Sequence, residues 1–107
     1  MYKRQVDIIQ PNVAITGGFT QCQKIAALAN SFNISVDNGG AWPFFNQHLQ
    51  AGLSNGGLVE YHYSSVEVCK WLYTGLPEPK QGWLTMTDAP GLGFELNTAA
   101  LPHFEID

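Results

Sequence analysis

Ser35-Val36-Asp37-Asn38-Gly39-Gly40, written SVDNGG, admits two readings. Asn-Gly is a strong signal for a two-residue hairpin, and a hairpin would return at once as an antiparallel strand. The next residues, Ala41 to Leu53, read instead as a helix with Pro43 tolerated in its first turn. The stretch is therefore a strand end that feeds a helix.

The segments on either side repeat that rhythm. Val6 to Gln10 (VDIIQ) is short, β-branched and stopped by Pro11, which predicts a buried strand. Thr20 to Asn33 carries Cys22, Ile25, Ala26, Leu28, Ala29 and Phe32 near a 3.6-residue period, with Thr20 and Gln23 spaced as a capping box. Ile34 to Asp37 is the second strand. Leu58 to His62 (LVEYH) is the third, and Ser65 to Tyr73 (SVEVCKWLY) a third, shorter helix. Strands alternating with helices imply a parallel sheet joined by right-handed crossovers, an α/β fold. Beyond Gly75 the rhythm stops: Leu76-Pro77-Glu78-Pro79 is a stiff loop, Trp83 to Thr87 reads as a short strand, and Ala89 to Phe94 is rich in turn residues.

Composition narrows the function classes. Of 107 residues, 45% are hydrophobic and 13% charged, which fits one globular domain with a core. The net charge is −4, and the five basic residues are scattered, so no basic stripe can neutralise nucleic-acid phosphates. The longest apolar run, Ile25 to Ala29, is far short of the ~20 residues that cross a bilayer, and no secretory leader pattern is present. Cys22 and Cys69 lack Cys-x-x-Cys spacing and read as buried reduced thiols, consistent with a cytoplasmic setting.

Alternation along each strand sorts the side chains. With Ile34 and Val36 under the helices, Ser35 and Asp37 face the other side; with Val59 and Tyr61 under the helices, Leu58, Glu60 and His62 do. The same parity brings Gln10 and Asn12 to that side. Asn12, Asp37, Glu60 and His62 thus collect at the carboxyl ends of parallel strands, where α/β folds bind their ligands. Asn38 adjoins them, and Trp42 crowds the same mouth. A metal held by Glu60, His62 and Asp37 lacks any supporting His-x-x-x-His pair, and Gly17-Gly18 matches neither phosphate-binding glycine pattern.

Three motifs in order carry a resemblance. DIIQPNVAITGGFTQCQKIAALANSFNISV (residues 7–36) resembles the sixth strand and helix of the barrel domain of the mandelate racemase and muconate lactonising enzyme family, in the enolase superfamily. HLQAGLSNGGLVEY (residues 48–61) is similar to its seventh helix and eighth strand, and DAPGLGFEL (residues 88–96) to its C-terminal tail. Met1 to Gln5 (MYKRQ) falls outside the resemblance and reads as a scar foreign to the family. Residues 6–75 then correspond to barrel strands six to eight with their helices, and residues 76–107 to the tail.

The resemblance implies the C-terminal portion of a (β/α)7β TIM-type barrel, incomplete by itself, from an enzyme that removes the proton next to a carboxylate with the help of Mg2+. It implies Mg2+ ligands on earlier strands, absent from this chain, a capping domain and barrel half as missing partners, a small carboxylic-acid substrate and a homo-oligomeric parent. Glu60 matches the eighth-strand glutamate that hydrogen-bonds the substrate carboxylate. Asn12 stands where the family has an aspartate or a lysine base, and an amide cannot take that proton. The seventh-strand histidine position falls on or beside Gly39. The base then comes either from upstream, as a second-strand lysine, or from Asp37, one inward step below that position, and His62, Asn38 and Trp42 are candidate substrate contacts. Dehydration of an acid sugar, or a one-base isomerisation, is the chemistry these vacancies imply. The competing expectation is a free-standing, non-catalytic α/β module that binds a small molecule at Asp37 and Glu60.

Overall fold

A computed structural model describes residues 6–103; the scar expected at residues 1–5 lies outside them. The first strand β1 (Ile8–Ile9) is followed by α1 (Gly18–Ser31), β2 (Ser35–Asn38), α2 (Pro43–Ala51), β3 (Gly56–Val59) and α3 (Tyr63–Leu72). The three strands form one sheet in the order β1-β2-β3, both pairings parallel. SVDNGG is thus the end of the middle strand, entering α2.

The expected parity holds at Val36, whereas Tyr61 stays partly exposed and Asn12, expected on the Glu60 side, is buried. Val36 is fully buried beneath Ala26 and Ala29 of α1, and Ile9, Ile34 and Leu53 pack around them. Tyr61 meets the buried Phe44 of α2 edge-on, with ring centroids 5.9 Å apart. Two further clusters lie in the core: Val13, Cys22 and Leu49 between α1 and α2, and Phe44, Val66 and Cys69 between α2 and α3. Both cysteines are buried and free.

The pairing of β2 with β3 contains a bulge. Val36 faces Gly56 and Asn38 faces Val59, so one residue of β2 stands against two of β3. Asp37 fills the irregularity, its Oδ1 accepting the Leu58 N–H at 2.8 Å. Position 57 must be glycine for this to work, because a Cβ there would overlap Asp37 Oδ1. Strand three therefore starts and ends earlier than the apolar run LVEYH predicts.

Three other expectations change. The Thr20–Gln23 capping box does not form: α1 begins two residues sooner, after Gly17 in the left-handed region at φ 99°, with no side-chain cap. Ala41 and Trp42 precede α2 instead of opening it, at φ 70° and 60°. No strand covers residues 83–87, where only an isolated bridge joins Lys80 to Trp83. Instead β4 (Tyr73–Thr74) pairs antiparallel with β5 (Glu95–Leu96). This hairpin folds the tail back onto α2: Phe94 stacks edge-on with Phe44, Phe45 and Tyr73, and His48 Nε2 meets the Leu92 carbonyl at 2.9 Å.

Much apolar surface stays outside. A folded chain of 11.8 kDa exposes about 5,900 Å2 by size scaling, whereas this one exposes 7675 Å2. Ile8, Leu28, Phe32, Leu58, Trp71 and Trp83 are among its exposed large side chains. Among the described residues β1 and β3 each pair on one side only. No described helix is long and apolar enough to cross a membrane.

Candidate functional site

The carboxyl ends of the three parallel strands lie side by side, and each continues into residues singled out from the sequence. After β1 comes Pro11-Asn12; after β2, Gly39 to Trp42; after β3, Glu60 to His62. The backbone continues the sheet one step past β3, where the Glu60 N–H reaches the Asn38 carbonyl at 3.1 Å. That bond sets Glu60 opposite the β2 exit.

Glu60 turns its carboxylate toward the turn before α2. Its Oε2 accepts the Ala41 N–H at 2.9 Å, and the residue is otherwise exposed. His62 is exposed too, with Nδ1 3.0 Å from the Ser64 hydroxyl. Trp42 is half-buried; its ring meets Phe45 edge-on, and its N–H points at Ser65 Oγ at 3.4 Å. All three lie at or just beyond the carboxyl ends of β2 and β3.

Asn12 and Asn38 face inward. Asn12 is 3% exposed, and its Nδ2 sits 2.9 Å from each of the carbonyl oxygens of Gly39, Gly40 and Ala41. Its Oδ1 accepts the Ala14 N–H. Asn38, equally buried, donates from Nδ2 to the Pro11 carbonyl at 2.6 Å and so ties β2 to the end of β1. Their amides are engaged in holding backbone, the positioning role that an asparagine at position 12 can perform. Asp37 is half-buried at the bulge, with Oδ1 on the Leu58 N–H.

Sequence reasoning passed over Asn46. It is fully buried on α2, accepts the Val13 N–H at 3.0 Å, and donates from Nδ2 to the carbonyls of Ala41 and Trp42. The signal that could have found it was a polar residue on the helix face that also carries Pro43 and Leu49, since buried polar groups are there to be hydrogen-bonded. Gln10 is also informative. Its carboxamide lies over Gly39, 3.1 Å from where a Cβ would stand, so a side chain at position 39 would displace it.

Burial raises the thiol pKa of both Cys22 and Cys69, with a hydrogen bond from Thr16 partly offsetting it at Cys22. Neither is a reactive nucleophile in that setting. Burial likewise raises the Tyr61 phenol. Among the described residues no three of His, Cys, Asp and Glu gather as a metal ion would require. One oxygen of Asp37 and one of Glu60 already serve backbone N–H groups. The residues present therefore do not compose a Mg2+ site.

A parallel α/β layer carries polar and acidic side chains beyond its strand ends, the position at which barrel and open-sheet folds hold their sites. The sequence profile described as "Enolase C-terminal domain-like" matches residues 1–100, and the chain belongs to that family, with the mandelate racemases and muconate lactonizing enzymes. A D-galactonate dehydratase family member from Paenibacillus sp. is 36% identical over 98 residues, covering 86% of this chain and 24% of that protein. The crystal structure of a mandelate racemase/muconate lactonizing enzyme-like protein from Rubrobacter xylanophilus superposes with a TM-score of 0.84 at 27% identity, covering 92% of this chain and 27% of that one. An enolase from Pantoea ananatis, solved with bound D-gluconate and Mg, gives 0.77 at 27% identity, over 92% and 25%. The chain spans about a quarter of the length of the curated relatives it matches.

Proposed function

We propose that this chain is the sector of a (β/α)7β barrel that carries strands six to eight and the C-terminal tail, and that the complete enzyme dehydrates an acid sugar. The observation that carries the reading is the Glu60 carboxylate, set at the end of a parallel strand and held by the Ala41 N–H. The outer edges of β1 and β3, unpaired among the described residues, and the exposed apolar side chains support a sheet that continues beyond this chain.

In this reading the base takes the proton from the carbon next to the substrate carboxylate. Negative charge then grows on the carboxylate oxygens, and hydroxide leaves the next carbon with a proton, as water. The resulting enol tautomerises to a 2-keto acid. Glu60 hydrogen-bonds the substrate carboxyl group at the oxygen that gains charge while its Oε2 keeps the Ala41 N–H, an interaction that acts where charge develops. His62 and Trp42 contact the substrate from the rim. Asn12 and Asn38 keep the strand ends in place, Asp37 pins the bulge, and the base comes from outside this chain. The Mg2+ ligands do as well. The parent is homo-oligomeric and carries a capping domain.

The test is to read the frame upstream of codon one in the source DNA, express the longer polypeptide and assay it with Mg2+ on a panel of acid sugars, trapping 2-keto acids with semicarbazide. The expected result is turnover of at least one sugar acid and a loss of about 100-fold or more in Glu60→Gln, in line with removal of one charge-stabilising donor. A start site at Met1, or no turnover on any sugar acid, overturns the reading.

A further inference from the structure

We infer that Asn12 and Asn46 act together as positioning residues for Glu60. Their carboxamides lock the turn before α2 in a left-handed form that aims the Ala41 N–H at the glutamate. The bearing of this on catalysis rests on Glu60 working at the substrate.

The turn is costly for its sequence. Gly40, Ala41 and Trp42 have φ of 77°, 70° and 60°. Glycine occupies that region freely, but each residue with a Cβ is disfavoured there. Such a run persists only where its surroundings over-determine it. Here they do, from two sides. As the backbone winds left-handed, the carbonyls of residues 39, 40 and 41 swing to one side, where Asn12 Nδ2, with two hydrogens to share among them, lies 2.9 Å from each. Asn46 Nδ2 donates to the Ala41 carbonyl again at 2.9 Å and to the Trp42 carbonyl at 3.1 Å.

The clamp is itself anchored. Asn12 Oδ1 accepts the Ala14 N–H, Thr16 Oγ1 accepts the Asn12 N–H, and Asn46 Oδ1 accepts the Val13 N–H. With the carbonyls drawn to the β1 side, the N–H groups face β3. Ala41 meets Glu60 Oε2 at 2.9 Å and Trp42 meets Ser65 Oγ.

A turn that merely connected β2 to α2 would not need this shape. Helices ordinarily start from an extended residue whose side chain caps the first turn. Trp42 holds the cap position of α2 in the left-handed region and makes no side-chain cap bond. The segment thus forgoes an ordinary helix start, accepts strain at two residues with side chains, and in return points a backbone donor at one carboxylate. Asn12 and Asn46 act through Ala41 and touch no reacting atom.

The experiment is an NMR pH titration of the chain, following the amide proton of residue 41 and the side-chain carboxyl carbon of Glu60. The expected result is a step at one pH shared by both signals and absent from the amide in Glu60→Gln. Asn12→Ala should shrink the amide step at least two-fold. Adding Ala41→Gly to Asn12→Ala should restore it, because glycine takes the left-handed form without the clamp and keeps the N–H. If Asn12→Ala fails to fold, recovery of folding and of the step in the double variant supports the inference, and no recovery overturns it. Ala41→Gly alone should raise the urea midpoint, since relief of strain outweighs the flexibility that glycine adds. An unchanged amide step in Asn12→Ala, or a lowered midpoint in Ala41→Gly, also overturns the inference. None of these signals depends on turnover, so a failed acid-sugar assay leaves them intact.

Discussion

Replacing Asn46 with alanine removes three hydrogen bonds, and the structure says which of them matters for stability. The Ala41 carbonyl keeps Asn12 Nδ2, and the Trp42 carbonyl keeps the backbone N–H groups of residues 45 and 46. The Val13 N–H loses its Asn46 Oδ1 partner inside the core and has none to replace it. A buried donor left unsatisfied costs about 1–3 kcal/mol. The space vacated by a carboxamide in a fully buried position adds roughly 1 kcal/mol more. Asn46→Ala should therefore destabilise the chain by about 3 kcal/mol, a large share of the roughly 5–15 kcal/mol that holds a domain together. With a urea slope near ~2 kcal/mol per M, the midpoint should fall by about 1.5 M. The assay is urea unfolding followed by tryptophan fluorescence and far-UV circular dichroism. Asn46→Asp sharpens the test, because it keeps the acceptor for Val13 but turns a carboxylate toward two carbonyls. It should be the less stable variant at neutral pH, with the deficit narrowing in acid as the carboxyl becomes able to donate. A loss below about 0.5 kcal/mol in Asn46→Ala, the size of an ordinary surface change, would refute the reasoning.

Phe94→Ala should cost about 2–3 kcal/mol, the lower part of the range for a large aromatic because the ring is half-buried, and hydrogen exchange should show the β4–β5 pairing opening first. The raised thiol pKa values of Cys22 and Cys69 keep both groups neutral in the fold. Their contribution to stability is complete below the unfolded thiol pKa of about 8.5 and declines as pH rises through and above it. Urea midpoints at pH 7 and pH 10 check this, with Cys22→Ser/Cys69→Ser double variants showing less alkaline loss. Both thiols should react with a disulfide reagent only as fast as the chain unfolds. Lys70→Ala should leave the midpoint unchanged, since the Lys70–Glu67 pair at 3.1 Å is an exposed pair one helical turn apart and is screened by water and salt.

The alternating α/β order was legible because it rests on local signals. Cys22, Ala26 and Ala29 recur at helical spacing and are all buried, and Val36 lies beneath them as its parity requires. The step from SVDNGG into a helix excluded a hairpin, and the parallel pairing of β1, β2 and β3 agrees with that step. Glu60 was legible by parity and by family likeness, and it sits at the strand end expected of it. Helix starts were less legible, because the Gly17 and Trp42 starts use left-handed backbone in place of the side-chain caps that a sequence advertises.

Sequence alone determined the element order, part of the buried stripe of α1 and the placing of polar residues near strand ends. All of these depend on residue type and on the 3.6- and 2-residue periods. Only the tertiary structure showed which groups those polar side chains contact. Asn12 reaches carbonyls 27 to 29 residues away, Asn46 reaches the Val13 N–H 33 residues back, and Asp37 settles on a bulge created by the register of another strand. An amide or a carboxylate has the same chemistry whether it meets a substrate or a backbone group. Which one it meets is set by contacts between segments distant in sequence, and no local period encodes those.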